Sequence, residues 1–423
     1  MRSKTCRGLI AAASLTLLAL PAWAEVQPQG RELNVNRRTD YRQQNPAAAF
    51  SPAGGSLVVW ENDQKGIRGL FYGADGRPSG AELTLVENQS FPSLPFSGPI
   101  VSRREPALAF LPSGQFLLIW NEERADLHSQ AFIESRQILD QDIYVQRFSA
   151  AGAPLGEKVR VNASTAGFQH GPKLLARAGR NFLVVWEDGA TGGIAGRALN
   201  AAGQPVGAEI RISDAAGQRP ALAGNAQGRV LVVWEGTDEN ESGISARLLD
   251  ASTAPLGPVF RVNTATSRRQ ARPAVVADAA GNFFVAWQTE LTNVARRGFF
   301  NLAGQAVGAG GNLLGPQLAL YQGNVGLTFS QLAPALALTP SGHILMTWLT
   351  FRNDTTAGLE MAGLELNALG APAGDAFWVT ERRMQRNFRS SSIASNGAGS
   401  FLVSWETVKA GRQGIAGRRL TAD

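Results

Sequence analysis

The chain has 423 residues, of which 44% are hydrophobic and 17% are charged. This length is enough for two or three ordinary domains or for one large repetitive domain. The charged fraction lies below the roughly 25% usual in soluble domains, and the 47 glycines exceed a typical share of about 7%. Composition therefore favours a chain rich in turns and strands. The only cysteine, Cys6, lies in a segment that we expect to be removed, which excludes disulfide and thiolate chemistry from the mature protein.

Residues 1–24 have the pattern of a secretory signal peptide. Three cations precede an apolar run, Gly8–Leu20, and an A-x-A cleavage pattern ends at Ala24. The run is too short to span a bilayer, and no later stretch approaches the ~20 apolar residues that a membrane span needs. We expect an exported protein, periplasmic or extracellular, whose formal charge falls from +6 to +3 when the three cations leave. A nucleic-acid partner is not expected, because the chain is exported and has no nucleic-acid motif.

Tryptophan recurs through the mature chain at intervals of 48 to 66 residues. The series consists of Trp60, Trp120, Trp186, Trp234, Trp287, Trp348 and Trp405, and Trp378 falls outside it. A proline stands fourteen residues before each of the first six, and a glycine stands six residues before all but Trp186. Constant spacing inside variable intervals indicates a rigid unit joined by variable loops. We expect the seven tryptophans to form the core between these units.

Each unit divides into four short strands. The first begins at the proline, the second is apolar on both faces, as in Val230–Trp234, and the third has the pattern Gly-Ile-x-x-Arg, as in Gly243–Arg247. A Gly-x-Pro-x-Gly turn leads to the fourth strand. Four strands in about 50 residues are typical of a β-propeller blade. We predict an all-β, seven-bladed propeller of four-stranded antiparallel blades over residues 31–423, with blades near 45–104, 105–170, 171–218, 219–271, 272–332, 333–385 and 386–423.

The two ends of the chain predict how the ring closes. The last repeat stops after its third strand, near Leu420. Residues Arg31–Asn36 match the fourth-strand pattern of Lys158–Asn162. We therefore predict that an N-terminal strand at 31–36, preceded by a short linker at 25–30, completes the last blade and removes two exposed sheet edges.

These blade motifs, Val-Val-Trp-Glu, Ile-x-x-Arg, Gly-x-Pro-x-Gly and Val-Asn, resemble those of bacterial secreted β-propeller repeat proteins. The resemblance covers nearly all of the mature chain and implies the propeller fold. It indicates no specific functional family, because propellers carry many unrelated functions. Closure by an N-terminal strand is similar to that of WD40 propellers, whose Gly-His and Trp-Asp dipeptides are absent here. Sialidase Asp-boxes are superficially similar, but they contain an aspartate that is missing here and place the aromatic residue closer to the glycine. The resemblance therefore assigns no sialidase residue to this sequence.

A glutamate follows the repeat tryptophan in several blades, and an arginine ends the third strand in the same blades. The two occur together in the third, fourth and seventh repeats and are both missing from the second, fifth and sixth. This joint variation predicts three cross-strand ion pairs within blades, each stabilising by roughly 0.2 to 1 kcal/mol. The pairs are Glu187 with Arg197, Glu235 with Arg247, and Glu406 with Arg418.

Loop length varies on one face of the predicted propeller, the face that holds the connections between the second and third strands and between blades. The longest variable segments are Glu87–Glu105, Asn121–Asp142, Thr289–Arg296 and Ala309–Leu332. Arginines collect in the blade-to-blade connections, and guanidinium groups suit recognition of carboxylate, sulfate or phosphate. The candidate binding residues are Arg37, Arg38, Arg103, Arg104, Arg268, Arg269, Arg272, Arg382 and Arg383. They predict a surface for an anionic glycan or an acidic protein, and the alternative is that they are ordinary solvated loop charges.

The sequence contains no recognised catalytic motif, and we expect no metal and no cofactor. Two histidines and two aspartates in the variable loops are candidates for acid–base chemistry: His128, Asp140, Asp142 and His170. The main hypothesis is an exported, monomeric, non-enzymatic binding or scaffold propeller. The alternative is a hydrolase or lyase that acts on extracellular polysaccharide through a carboxylate and histidine site.

Overall fold

Seven four-stranded antiparallel sheets make up the computed structural model of this protein. The structure describes residues 26–38, 40–89, 97–130, 133–177, 181–239, 241–291, 299–321, 329–352, 358–381, 390–409 and 412–422. No residue in these ranges is helical, and so none of them forms a helix that could cross a membrane. The predicted signal peptide lies outside the described residues. The prediction of an all-β, seven-bladed propeller is confirmed.

The strands of the first three blades, together with the N-terminal strand, occupy the first half of the chain. They are β1 Val26–Asn34, β2 Gln43–Phe50, β3 Ser56–Asn62, β4 Gly66–Tyr72, β5 Leu83–Val86, β6 Ser97–Phe110, β7 Phe116–Gln130, β8 Ile133–Phe148, β9 Val159–Arg160, β10 Gln169–Ala176, β11 Phe182–Asp188, β12 Gly193–Leu199 and β13 Pro205–Arg211.

The remaining four blades follow in the same order. Their strands are β14 Gly217–Gly224, β15 Val230–Gly236, β16 Gly243–Leu249, β17 Phe260–Arg261, β18 Gln270–Ala277, β19 Phe283–Glu290, β20 Phe300–Val307, β21 Leu313–Tyr321, β22 Phe329–Leu338, β23 Ile344–Arg352, β24 Gly358–Leu366, β25 Phe377–Trp378, β26 Ser391–Ser395, β27 Ser400–Lys409 and β28 Arg412–Ala422.

Each blade is a meander in which the strand order in the sheet follows the order in the chain. The first strand of every blade contacts the first strands of both neighbouring blades, from β2 through β6, β10, β14, β18 and β22 to β26 and back to β2. These seven strands therefore line the axis of the ring. The glycine six residues before the tryptophan lies in the turn to the second strand with φ near +80 to +90°, as at Gly54 (83°) and Gly281 (91°), a conformation that side chains disfavour.

The N-terminal strand completes the seventh blade, in which the strand order is β1-β28-β27-β26. Val26 pairs with Ala422 and is fully buried. Asn36 Oδ1 accepts the backbone N–H of Ile415 at 2.7 Å, the same bond that Asn162 makes to Ile143 at 2.8 Å. The linker predicted at 25–30 is a strand over its described residues, 26–30, which belong to β1. The register shifts between Gln29 and Leu33, and β1 pairs with β28 on both sides of this irregularity.

The core consists of seven apolar clusters, one at each junction between blades. Each cluster holds one tryptophan of the repeat series, and all seven are at most 2% exposed. The prediction that these tryptophans form the core between blades is confirmed. The second strands are buried on both faces, as β3 and β15 show along their whole length.

A buried glutamine holds the tryptophan indole in four blades. Trp287 Nε1 donates to Gln270 Oε1 at 2.8 Å, and Trp60 Nε1 donates to Gln43 Oε1 at 2.7 Å. Gln169 and Gln331 do the same for Trp186 and Trp348. Each glutamine stands seventeen residues before its tryptophan in the sequence.

The predicted ion pairs within blades are wrong. Val184, not Glu187, lies opposite Arg197, and Val232, not Glu235, lies opposite Arg247. Arg197 and Arg247 instead donate to backbone oxygens at the end of the preceding blade, Arg197 to Val161 at 2.9 Å and Arg247 to Ile212 at 3.1 Å.

The third predicted pair is also absent. Arg418 donates to the backbone oxygen of Val379 at 2.9 Å, while Glu406 accepts the backbone N–H of Asn45 at 3.0 Å. The glutamate therefore binds the following blade and the arginine binds the preceding one. None of the three glutamates therefore pairs with the arginine that was predicted for it.

Blade 2 departs from the common blade length. Strands β7 and β8 have 15 and 16 residues, whereas β11 in blade 3 has 7. Residues 97–102, 123–130 and 133–141 form a three-stranded extension, here called the arm, which reaches roughly 25 Å beyond the ordinary blade end. Residues 97–105, 121–130 and 133–142, which lie in the segments predicted as loops, are thus strands.

Candidate functional site

The face with the blade-to-blade connections, here called the connection face, carries the arm and the entrance to the axis of the ring. The arm begins where β6, β7 and β8 pass this face, and one of its sides is directed toward blade 1. Trp120 on β7 packs against Leu57 and Val59 of blade 1. Glu122 and Arg124 follow Trp120 on the same side, because side chains alternate along a strand.

The blade 1 side of the arm and of the strands below it forms a charged wall, here called the arm groove. Its residues are Arg103, Glu122, Arg124, Asp140, Asp142, Tyr144, Lys158 and Arg160. Hydrogen bonds to blade 1 fix its lower end, since the backbone N–H of Arg103 donates to Asn88 Oδ1 at 2.8 Å and Val101 bridges to Gln89.

Glu122 is the buried anchor of the arm groove. Its carboxylate is 3.2 Å from Arg103 Nε and 2.5 Å from Lys158 Nζ, and the residue is 3% exposed. Lys158 Nζ also lies 4.4 Å from the centroid of the Tyr144 ring, which stacks on Trp120. With two cations on one buried carboxylate, Glu122 has a structural role.

Asp142 lies directly opposite Glu122 in the register of β7 and β8, and Asp140 lies two residues farther out on the same face of β8. Asp142 Oδ1 accepts from Asn162 Nδ2 at 2.6 Å, and its Oδ2 is 3.7 Å from Arg160 Nη1. Asp140 Oδ2 is 3.7 Å from Arg124 Nη1. The side chains of Arg124 and Arg160 are 55% and 43% exposed, so both guanidinium groups reach solvent.

The two aspartates differ in environment. Desolvation raises the pKa of the Asp140 carboxyl; Arg124 opposes this, and the charges of Asp142 and Glu122 add to it. Desolvation also raises the pKa of the Tyr144 phenol, together with the charges of Glu122 and Asp142. The arm groove thus holds one carboxyl that retains its proton more readily beside one that is hydrogen-bonded to an amide.

The other side of the arm faces blade 3 and is also ion-paired. Arg104 Nη2 is 3.5 Å from Glu123 Oε1, and Gln141 Nε2 donates to Glu123 Oε2 at 2.6 Å. Phe168, in the connection to blade 3, forms a parallel bridge with Gln141 and is 42% exposed.

Of the two candidate histidines, only His170 has a described side chain, and it does not lie with the aspartates. His128 lies in strand β7 near the tip of the arm, and its side chain is outside the described residues. His170 Nδ1 is 3.7 Å from Glu187 Oε2, and Glu187 binds blade 4, so this pair faces away from blade 2. Among the described residues, the carboxylate candidates therefore lie in one site and His170 lies in another.

The residue before the inner-strand proline has a positive φ in six blades, at Asn45, Glu105, Gly171, Arg219, Arg272 and Ala333, with values of 50 to 65°. In this conformation the backbone N–H of Arg219 reaches Glu187 at 2.9 Å, and that of Ala333 reaches Gln288 at 3.1 Å. These positions ring the channel mouth, the entrance to the axis on the connection face.

The predicted binding arginines fall into different classes. Arg37 and Arg38 are exposed, and their backbone N–H groups bind Glu82. Arg103 and Arg104 are ion-paired, as described above. Arg269 Nη2 binds Glu235 at 2.9 Å. Arg268 and Arg272 are half-buried with positive φ. Arg382 and Arg383 lie outside the described residues.

Within the described parts of the chain, no three histidine, cysteine, aspartate or glutamate side chains are grouped as metal ligands. A cleft of about 450 Å³ lies on the opposite face, where β1 meets the turn at Ala74–Gly76. Arg419 Nη1 donates to the backbone oxygen of Ala74 at 2.8 Å across it. This cleft belongs to the ring closure and contains none of the predicted site residues.

The comparisons with known proteins give the fold. No family model matches the chain, and no curated protein matches it. A solved structure of a protein of unknown function from Dyadobacter fermentans is 14% identical, covers 94% of this chain and 99% of its own, and has a TM-score of 0.52. A polysaccharide lyase of family PL25, an ulvan lyase bound to -[GlcA(1-4)Rha3S]-, is 11% identical over 93% of this chain and 96% of its own, with a TM-score of 0.56. The NanB sialidase from Streptococcus pneumoniae is 8% identical, covers 86% of this chain and 72% of its own, and has a TM-score of 0.51. These similarities establish a shared propeller architecture.

Proposed function

We propose that the protein is an exported glycoside hydrolase that binds an anionic polysaccharide in the arm groove and cleaves it with Asp140 and Asp142. One observation carries this proposal. Asp140 and Asp142 stand two residues apart on one strand face, between the exposed guanidinium groups of Arg124 and Arg160. Alternate residues of a strand are roughly 7 Å apart. Inverting glycoside hydrolases hold their two carboxyl groups about 6.5 to 9.5 Å apart, which leaves room for the attacking water.

The reaction assigns one role to each carboxyl group. Asp140, whose carboxyl retains its proton more readily, donates that proton to the glycosidic oxygen as the bond to the anomeric carbon breaks. The Asp142 carboxylate, oriented by Asn162, accepts a proton from the water that attacks the anomeric carbon. Arg124 and Arg160 bind the carboxylate or sulfate groups of the chain on either side of the bond.

Two further observations support a polysaccharide substrate. The solved structures that share the architecture with TM-scores above 0.5 include a polysaccharide lyase bound to a uronate-containing and sulfated saccharide, and a sialidase. The predicted signal peptide would bring the protein to the compartment where such polymers occur. An anionic polymer also suits cations that are exposed on a groove wall.

The test is a hydrolysis screen on uronate-containing, sulfated and neutral polysaccharides, which detects both new reducing ends and unsaturated sugar products. The Asp140→Asn and Asp142→Asn variants should each lose activity by roughly 100-fold or more. Asp75→Asn is the matched control, because Asp75 is an exposed aspartate on the opposite face with a side chain 63% exposed. New reducing ends that are unaffected by either arm variant would contradict the assignment. Unsaturated products would show elimination and contradict the hydrolytic roles.

Binding without cleavage is the second candidate, and a specific observation favours it. Arg124 and Arg160 balance the charges of Asp140 and Asp142, so the two carboxyl groups have partners without a substrate. The two candidates differ in one result: a protein that only binds retains an anionic polysaccharide in a salt-dependent manner and releases no product, with or without Asp140→Asn.

A further inference from the structure

A second cationic site lies at the channel mouth between blades 4 and 5. The carboxylate of Glu235 accepts from two guanidinium groups, from Arg219 Nη1 at 2.6 Å and from Arg269 Nη2 at 2.9 Å. Arg272 holds in blade 5 the position that Arg219 holds in blade 4, and the inner strands of these blades are in contact. We call Arg219, Arg269 and Arg272 the guanidinium arc.

The fold does not require these arginines. At the position of Arg219 and Arg272 four other blades carry Asn45, Glu105, Gly171 and Ala333, all with the same positive φ. What the fold uses there is the backbone N–H, which Arg219 donates to Glu187 at 2.9 Å. At the position of Arg269, eighteen residues before the tryptophan, blade 3 carries Phe168. The fold therefore does not depend on the side chains of Arg219 and Arg269.

Glu235 fixes two arginines of the arc, Arg219 and Arg269, whose side chains are partly exposed. Glu235 is buried, with a side chain 8% exposed, and binds one nitrogen of Arg219 and one of Arg269. The side chains of these two arginines are 39% and 43% exposed. A guanidinium group has five N–H donors in a rigid fork, and the contacts with Glu235 use one nitrogen of each group. Two positive charges on one carboxylate leave an excess of positive charge at the mouth.

We infer that the guanidinium arc is an anion-recognition site, separate from the arm groove, that binds the carboxylate or sulfate groups of a polysaccharide chain. The polysaccharide nature of the ligand rests on the proposed function. The site itself rests on the fixed pair of forks around Glu235. Forks held by a buried carboxylate lose little conformational entropy on binding, which favours bidentate contacts to planar or tetrahedral oxyanions.

The structure provides variants that should fold. Arg219→Ala places in blade 4 the residue that blade 6 carries at this position with φ 50°, and Arg269→Phe places in blade 5 the residue that blade 3 carries. Arg77→Ala is the matched control, because Arg77 lies in a turn of the opposite face with a side chain 87% exposed. The thermal unfolding midpoint of each variant shows whether it is folded.

The probes are polygalacturonate, which has carboxylates only, dextran sulfate, which has sulfates only, and dextran, which has neither. We expect salt-dependent binding of at least one anionic probe and none of dextran. Arg219→Ala and Arg269→Phe should each weaken that binding about tenfold, the effect of one lost charge-assisted hydrogen bond, while Arg77→Ala should not. Whichever anionic probe loses affinity identifies the group recognised.

Wild-type affinity in both folded arc variants would overturn the inference. Retention of poly-glutamate alone would also overturn it and assign the arc to an acidic protein. The proposed hydrolysis fails separately, if Asp140→Asn leaves turnover unchanged or if no turnover exists. Binding that depends on the arc in a protein without turnover would therefore retain this inference and remove the proposed function.

Discussion

The side-chain carboxylate of Glu187 in blade 3 accepts a hydrogen bond from the backbone N–H of Arg219 in blade 4, at 2.9 Å. The same bond joins Glu406 to Asn45 across the ring closure, at 3.0 Å. Gln288 makes it to Ala333 at 3.1 Å, which shows that an amide oxygen is sufficient. The residue after the repeat tryptophan is therefore a connector between blades.

Glu187→Ala should destabilise the protein by about 1 to 2 kcal/mol, because it leaves the Arg219 N–H without its acceptor at the junction. Glu187→Gln should cost much less, since Gln288 fills the equivalent role. Urea denaturation of both variants measures the difference. Equal stability of the two variants would contradict the connector role.

Gln270→Ala should destabilise the protein by about 2 to 4 kcal/mol. Gln270 and Trp287 are fully buried, so the substitution leaves the indole N–H unpaired and opens a cavity beside it. Gln218→Ala is a control on the inner strand of blade 4, where the side chain is exposed. Denaturant unfolding should show no more than about 0.5 kcal/mol for the control. A cost that small at Gln270 would show that the bond to Trp287 contributes little.

Much of the fold was predictable because one unit repeats. The spacing of proline, glycine and tryptophan marks the first two strands of each blade, and the match between Asn36 and Asn162 marks the closing strand. Both signals are local, and both describe contacts that recur in several blades. The buried glutamine seventeen residues before the tryptophan is a third local signal, and it recurs in four blades.

The arm was not predictable from hydrophobic periodicity. Residues 121–126, Asn-Glu-Glu-Arg-Ala-Asp, are polar on both faces of the strand, because charged partners occupy the arm groove on one side and Glu123 binds Arg104 and Gln141 on the other. A strand whose two faces are both polar has no alternation to detect. The sequence marks Asp140 and Asp142 as clustered carboxylates in a variable segment, but their position on a groove wall depends on strand pairing that only the structure supplies.

The paired occurrence of Glu187 with Arg197 illustrates a different difficulty. The two residues vary together along the repeats because both serve blade junctions, one toward the next blade and one toward the preceding blade. Joint variation among repeats cannot distinguish a contact within a blade from two contacts with its neighbours.

A double-mutant cycle separates these two arrangements. Glu235 and Arg247 should show no coupling beyond the error of about 0.3 kcal/mol, because Arg247 binds the backbone of Ile212 and the side chain of Asp214. Glu235 and Arg219 should show coupling of about 0.5 to 1 kcal/mol, since their contact is 2.6 Å and partly exposed. A coupling between Glu235 and Arg247 as large as 0.5 to 1 kcal/mol would contradict the register between β15 and β16.

The last prediction concerns Glu61, which is 1% exposed and follows the tryptophan of blade 1. Burial raises the pKa of its carboxyl above the usual value of 4.5, although Asn45, Gln44, the charge of Arg104 and the N–H of Glu105 oppose this. The folded protein therefore binds the proton more tightly than the unfolded chain. Between 4.5 and the raised pKa of the folded state, the contribution of Glu61 to stability falls as the pH rises.

Glu61→Gln cannot titrate at this position, and Gln288 shows that glutamine is accepted there in another blade. The free energy of unfolding of the wild type, minus that of Glu61→Gln, should therefore decrease as the pH rises from about 4.5 toward neutrality. Urea unfolding of both proteins at a series of pH values measures this difference, and the other titrating groups cancel in it. An increase with pH would mean that the four hydrogen-bonding and charged neighbours outweigh burial, and that Glu61 stabilises the junction as a carboxylate.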